Sequence, residues 1–102
     1  MIPLIADNLD ALVELCRHYR GERLELVGSA AGGEFDRERS DLDFVVQFAQ
    51  MPPVEHADCY FGLLLSLERL FGRQVDLLEA GAISNPYVRR SIDASRVLLY
   101  AA

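Results

Sequence analysis

Residues 26–46, LVGSAAGGEFDRERSDLDFVV, join one apolar segment to another through a small-residue turn and a charged arch. The second apolar segment opens on two acids. Side chains along a strand alternate between faces, so Asp41 and Asp43 share one face while Leu42, Phe44, Val46 and Phe48 share the other. A strand built this way must form the wall of a core. The acids on its outer face are costly unless something positive lies beside them, and a divalent cation is the usual partner. A further acid on a strand, Asp76 in VDLLE, joins the Gly28–Ser29 turn as the remaining pieces of the constellation.

The rest of the chain supplies a scaffold. Asp7 or Asn8 can cap a first helix running to about Arg20, where Gly21 stops it. Arg23–Val27 alternates as a strand with Leu24 and Leu26 inward. Ser29 starts a short helix that Gly32 and Gly33 end, and Asp41–Phe48 is the second strand. Residues 50–55 contain Pro52–Pro53 and read as a loop. Ala57–Phe71, closed by Gly72, is the best helix, and Gly62, Ser66, Arg69 and Arg73 form its narrow polar stripe. So wide an apolar arc places this helix between two layers of the fold or against a partner chain. Gln74–Leu78 is a third strand, Asn85–Pro86 opens a last short helix, and Arg96–Tyr100 adds an edge strand. Helices alternating with strands imply an α/β (α+β) fold, a small mixed sheet of about four strands flanked by helices.

Composition narrows the function classes. A chain of 102 residues, half of them hydrophobic, suits a single domain with one modest core, residues 1–102. A net charge of −6 argues against a nucleic-acid groove and fits a basic partner or bound cations. All ten basic residues are arginine, which excludes a Walker A loop and Schiff-base chemistry. The opening MIPLIADNLDAL lacks a basic leader, and no apolar run nears the ~20 residues that span a bilayer, so a soluble, cytoplasmic protein is expected. Cys16 falls in line with Leu9, Leu12 and Val13 and reads as core; His18 and His56 read as surface or capping residues, although His56 lies near Asp58 and Cys59.

The chemistry follows from combining the pieces. A glycine at a strand-to-helix turn lets a ligand approach the backbone, while the helix start and the Ser29 hydroxyl offer donors to an anion. If the strand opening at Asp41 pairs with the first strand or with the one holding Asp76, three carboxylates converge beside this phosphate cradle. Mg2+ takes one or two carboxylates plus substrate phosphates, and paired ions stabilise both oxygens of an in-line displacement. Taken singly, each acid has a plainer role. Ser40–Asp41 can cap a turn, Asp43 can pair with Arg37 or Arg39, and Asp76 can be an edge charge. The constellation as a whole favours transfer of a phosphate-containing group from a nucleoside triphosphate.

Val27–Gly28–Ser29, eleven intervening residues, then Asp41–Leu42–Asp43–Phe44 resembles the signature of the polymerase-beta-like nucleotidyltransferase superfamily. Within it, SDLDFVV, VDLLE and NPYVRRSI look like the minimal nucleotidyltransferases, antitoxins of HEPN RNase toxins. The resemblance implies that Gly28 and Ser29 hold the triphosphate of ATP. It implies that Asp41 and Asp43 bind two Mg2+ ions and that Asp76 completes the metal site and helps take the acceptor's proton. AMP would then pass to a hydroxyl, a tyrosine of the HEPN-family toxin, with higher-order complexes possible and neither membrane nor direct nucleic-acid binding. Arg37 and Arg39 could steady the phosphates. Two other readings stay open: an antitoxin that acts by binding alone, and a transferase acting on a small hydroxyl-bearing molecule such as an aminoglycoside.

Overall fold

The computed structural model describes residues 1–32 and 41–102. Its elements are α1 (Pro3–Ala6), α2 (Leu9–His18), β1 (Gly21–Val27), α3 (Ser29–Gly32), β2 (Leu42–Phe48), α4 (Pro53–Phe71), β3 (Val75–Glu79), a 3-10 turn over Ala80–Ala82, α5 (Pro86–Ser95) and β4 (Val97–Ala101). The four strands form a mixed sheet in the order β3-β2-β1-β4. β1 is antiparallel to both β2 and β4, whereas β2 and β3 are parallel. That parallel pair needs a crossover, and α4 provides it.

The expected alternation along β2 holds. Leu42, Phe44 and Val46 are fully buried, and they meet Leu24 and Leu26 of β1, Val75 and Leu77 of β3, and Leu12, Cys16, Leu63 and Leu67 of the helices. The other sheet face is thinner: Val27 and Val45 lie beneath Ile92 of α5, with Ala80 and Ile83 beside them. The sheet therefore carries its main core on one face and a partly covered surface on the other, and the acids of β2 stand on that second face. Among the described residues no helix is long and apolar enough to cross a membrane.

Several boundaries move from those read in the sequence, each for a local reason. Pro53 does not belong to a loop. It takes the first turn of α4, where its missing N–H costs nothing, so the helix runs Pro53–Phe71 rather than from Ala57. Gly72 ends α4 in the left-handed conformation, φ 62°, as expected. The first long helix ends differently: Arg20, not Gly21, adopts the left-handed turn, with φ 62°. Gly21 instead opens β1, where a Cβ would collide with the Cys16 thiol. Asn8 precedes α2 without capping it, and its amide donates to the Leu4 carbonyl at 2.8 Å, closing the short α1 that the sequence did not suggest.

The polar stripe of α4 also divides. Gly62 and Ser66 face α2: the Tyr19 ring lies where a Gly62 Cβ would stand, and the Ser66 hydroxyl donates to the Tyr19 hydroxyl at 3.2 Å. Arg69 is exposed and Arg73 half-buried. The side of α4 left open to solvent is mixed, with Val54, Phe61 and Leu65 exposed alongside Asp58 and Arg69. Cys16 is buried as expected, and burial pushes its thiol up to about 11, outside the reactive range. His56 keeps the partly exposed position expected of it. It pairs with Glu79 at the end of β3 and meets the Phe48 ring edge-on at 5.3 Å.

Candidate active site

Register brings the acids together. Asp43 lies opposite Asp76 in the parallel β2–β3 ladder and opposite Val27 in the antiparallel β1–β2 ladder. Laterally paired residues project from the same face of a sheet, so the carboxylates of Asp43 and Asp76 emerge side by side next to the end of β1. The chain leaves β1 there through Gly28, which has φ 71°, and enters α3 at Ser29. A Cβ at residue 28 would overlap the Asp43 carboxylate, whose Cγ would be 3.2 Å away. Gly28 thus does two things: it makes a turn that L residues rarely adopt and leaves the space that the acid fills.

The electrostatics agree with this crowding. The Asp43 carboxyl is pushed up from 3.8 to about 6, first by burial, then by a side-chain hydrogen bond to Asp76 and by the negative fields of Asp76 and Asp41. Asp43 is half-buried, while Asp41 and Asp76 are exposed at the rim. Asp41 immediately precedes β2 rather than lying within it, and it reaches Asp43 through its field. Among the described residues, no three His, Cys, Asp or Glu side chains stand together as a ready-made metal cluster. The acids form a tight pair with a third nearby, a looser arrangement than three converging carboxylates.

That donor set nonetheless fits Mg2+. Two neighbouring carboxylates, one of them pushed up by burial and by the other, offer hard oxygens to a cation, and Mg2+ commonly takes only one or two carboxylates from the protein. Asp43 and Asp76 would hold it, with Asp41 at the open side.

A cavity of about 220 Å3 adjoins the pair, lined by Val27, Gly28, Asp43, Leu78, Val88 and Ile92. Its apolar wall comes from α5, which lies across this face of the sheet. The far end of α5 ties back to the turn, where the Gly28 amide donates to the Ser95 hydroxyl at 3.2 Å. Sequence reasoning missed Leu78, Val88, Ile92 and Ser95. Their signal was the spacing of Val88, Ile92 and Ser95, one face of a helix at four and then three residues. A larger hollow of about 370 Å3 surrounds His56 and Glu79 at the opposite end of β2. It contains none of the paired acids, so size alone would point to the wrong place. Arg37 and Arg39 lie outside the described residues.

A nucleotidyltransferase domain model matches residues 10–99. The chain belongs to the nucleotidyltransferase domain family. A relative from Methanocaldococcus jannaschii, provisionally named a protein adenylyltransferase, is 37% identical over 75 residues, which cover 74% of this chain and 73% of the relative. A solved structure of a provisionally named minimal nucleotidyltransferase is 29% identical, with a TM-score of 0.71 over 94% of this chain and 95% of that one. The MNT antitoxin complex with a tri-AMPylated HEPN toxin from Shewanella oneidensis shares the fold at 16% identity, with a TM-score of 0.66, covering 95% of this chain and 72% of that one. The chain is therefore a nucleotidyltransferase with the mixed four-stranded sheet of its family.

Proposed function

We propose that this nucleotidyltransferase moves AMP from ATP to a side-chain hydroxyl of a partner protein, acting as a single domain. The observation that carries the reading is the Asp43–Asp76 pair, registered across β2 and β3 and packed against the Gly28 turn. The names of the relatives support a protein acceptor, and the AMPylated HEPN toxin beside a protein of the same fold supports a HEPN-family toxin as partner, whose acceptor we take to be a tyrosine hydroxyl. In this reading Gly28 and Ser29 hold the triphosphate, while Asp41, Asp43 and Asp76 hold two Mg2+ ions. The bound ions supply charge neutralisation for the phosphates and for the oxygens that attack and leave.

The chain's own groups divide the remaining work. Gly28, having no side chain, lets the phosphates approach the backbone, and Ser29 donates its hydroxyl to them. Leu78, Val88 and Ile92 keep water from one side of the reacting phosphorus. The acceptor oxygen bonds to the α-phosphorus, pyrophosphate departs, and Asp76, exposed at the rim, takes the acceptor's proton. The cavity beside the acids is small and open, so the acceptor's own protein completes the site.

The test combines purified chain, ATP, Mg2+ and the partner encoded beside it. The partner should gain adenylate mass. Asp41→Asn and Asp43→Asn should each lower transfer by about 100-fold or more, the scale of losing a preorganised electrostatic group, with circular dichroism unchanged. Undiminished transfer by either variant would remove the acid site from the account. Exposed Val54, Phe61 and Leu65 on α4 favour one other reading, an antitoxin that works by binding alone. If an Asp41→Ala, Asp43→Ala double variant protects cells as well as wild type, that reading replaces transfer.

A further inference from the structure

The chain has four tyrosines, and three have structural work. Tyr19 accepts the Ser66 hydroxyl, Tyr60 donates to the Leu77 carbonyl at 2.7 Å, and Tyr100 lies 5.9 Å beneath the Arg17 guanidinium. Tyr87 differs from them: it is 79% exposed, although its neighbour Val88 lines the cavity that holds Gly28 and Asp43. A large aromatic side chain held out of the core at the rim of a site has no packing reason to be there.

The placement of α5 shows which way Tyr87 faces. At 100° per residue, Val88, Ile92 and Ser95 share the side turned to the sheet. Arg89, Asp93 and Arg96 fall on one flank, and with Val45 and Ala80 they line a hollow of about 250 Å3 further along β2 from the acids. Tyr87 lies on the opposite flank, the one that looks back along β2 toward Asp43 and Asp41. The Asn85 side chain fixes this first turn by accepting from the Tyr87 and Val88 amides, at 2.9 and 3.5 Å.

We propose that Tyr87 is an acceptor for adenylyl transfer by its own chain, so that the protein carries a self-modification site on the helix that walls its active site. The proposal rests on the transferase reading above and extends it to a specific acceptor. The phenol oxygen forms a bond to the α-phosphorus of ATP. The bond from that phosphorus to the oxygen bridging to the β-phosphate breaks, and pyrophosphate leaves with the electron pair. The phenolic proton passes to the Asp76 carboxylate and on to solvent. The product, an adenylylated tyrosine beside the cleft, places a bulky anion at the entrance a partner protein would use, so the modified chain should transfer AMP to its partner several-fold more slowly.

The experiment incubates the full chain with Mg2+ and α-labelled ATP without a partner, then locates the label by peptide mass spectrometry. Label on the peptide containing Tyr87 is expected, with loss of at least ten-fold in Tyr87→Phe. That variant should keep the wild-type rise in melting temperature with Mg2+ and ATP. An unlabelled Tyr87 in a protein that adds adenylate to its partner would overturn this inference alone. A protein that labels neither Tyr87 nor its partner would overturn the transferase reading beneath it. Mixing active Tyr87→Phe with Asp43→Asn should leave the latter unlabelled; label there would contradict transfer within one chain.

Discussion

Asp43 is squeezed between the Gly28 turn and Asp76, and both contacts have measurable consequences. In the unfolded chain its carboxyl ionises at its ordinary value of 3.8; in the fold it keeps its proton up to about 6. Folding is thus favoured by the protonated group. The contribution is complete below about pH 4 and disappears as pH rises through about 6. Its size should be of the order of 1 kcal/mol, since solvent reaches this half-buried site and screens the charges. Metal-free protein should therefore lose melting temperature between pH 4 and 7, and Asp43→Asn should flatten the profile and melt higher at pH 7. A lower melting temperature for Asp43→Asn in chelator would make the carboxylate a structural group. Gly28→Ala should act in the opposite direction. It forces an L residue to φ 71° and drives a methyl into the Asp43 carboxylate, so denaturant titration should show a loss of about 1–3 kcal/mol. At this scale the sequence was highly legible, because a glycine, a serine and three aspartates need no tertiary information to suggest phosphate and metal chemistry. The raised Asp43 carboxyl was not legible, since it depends on how closely two strands separated by a long helix come to lie.

Strand periodicity showed which residues of β2 point inward, and the structure keeps every one of them inside. Register was the hidden quantity. A slip of one residue between β2 and β3 would send Asp76 to the core face, which the Val75–Asp76–Leu77 alternation opposes, but that alternation does not say which residue of β2 Asp76 lies beside. The crossover helix α4 sets that register, by burying Leu63, Leu67 and Phe71 against the sheet and by letting Glu68 accept the Val75 amide at 3.3 Å. Helix ends were read less well because prolines and glycines have more than one use. Pro53 starts a helix that it seemed to forbid, and Gly21 makes room for Cys16 while Arg20 takes the turn. Gly62 shows the same point from the packing side, for it looked like part of a solvent stripe and is in fact the seat of the Tyr19 ring. Gly62→Val should therefore destabilise the protein by about 1–3 kcal/mol by overpacking the α2–α4 contact. A melting temperature equal to wild type would mean that the two helices are less closely joined than described.

Among the described residues, the molecule has one well-filled face and two unfinished surfaces. The filled face is the core between the sheet and α1, α2 and α4. One unfinished surface is the acid cleft under α5, and the other is the outer side of α4 with Val54, Phe61 and Leu65. The leucine-rich pattern of α4 indicated more apolar surface than one core needs, but only the fold reveals which side of the helix stays open. Because that side contributes little to folding, Phe61→Glu and Leu65→Glu should leave the melting temperature of the isolated chain nearly unchanged, within about 0.5 kcal/mol. If α4 is where the partner docks, the same changes should weaken the complex at least ten-fold in a calorimetric titration. Tight binding by the double variant would move the partner elsewhere.

The acid pair at the glycine turn is the centre of the account, and calorimetry of ATP binding in the presence of Mg2+ examines it most directly. Wild-type protein should bind saturably at one site per chain, and Asp43→Asn, although folded and at least as stable without metal, should bind at least ten-fold more weakly. Equal affinity in the two proteins would contradict the claim that β2 and β3 assemble a nucleotide and metal site.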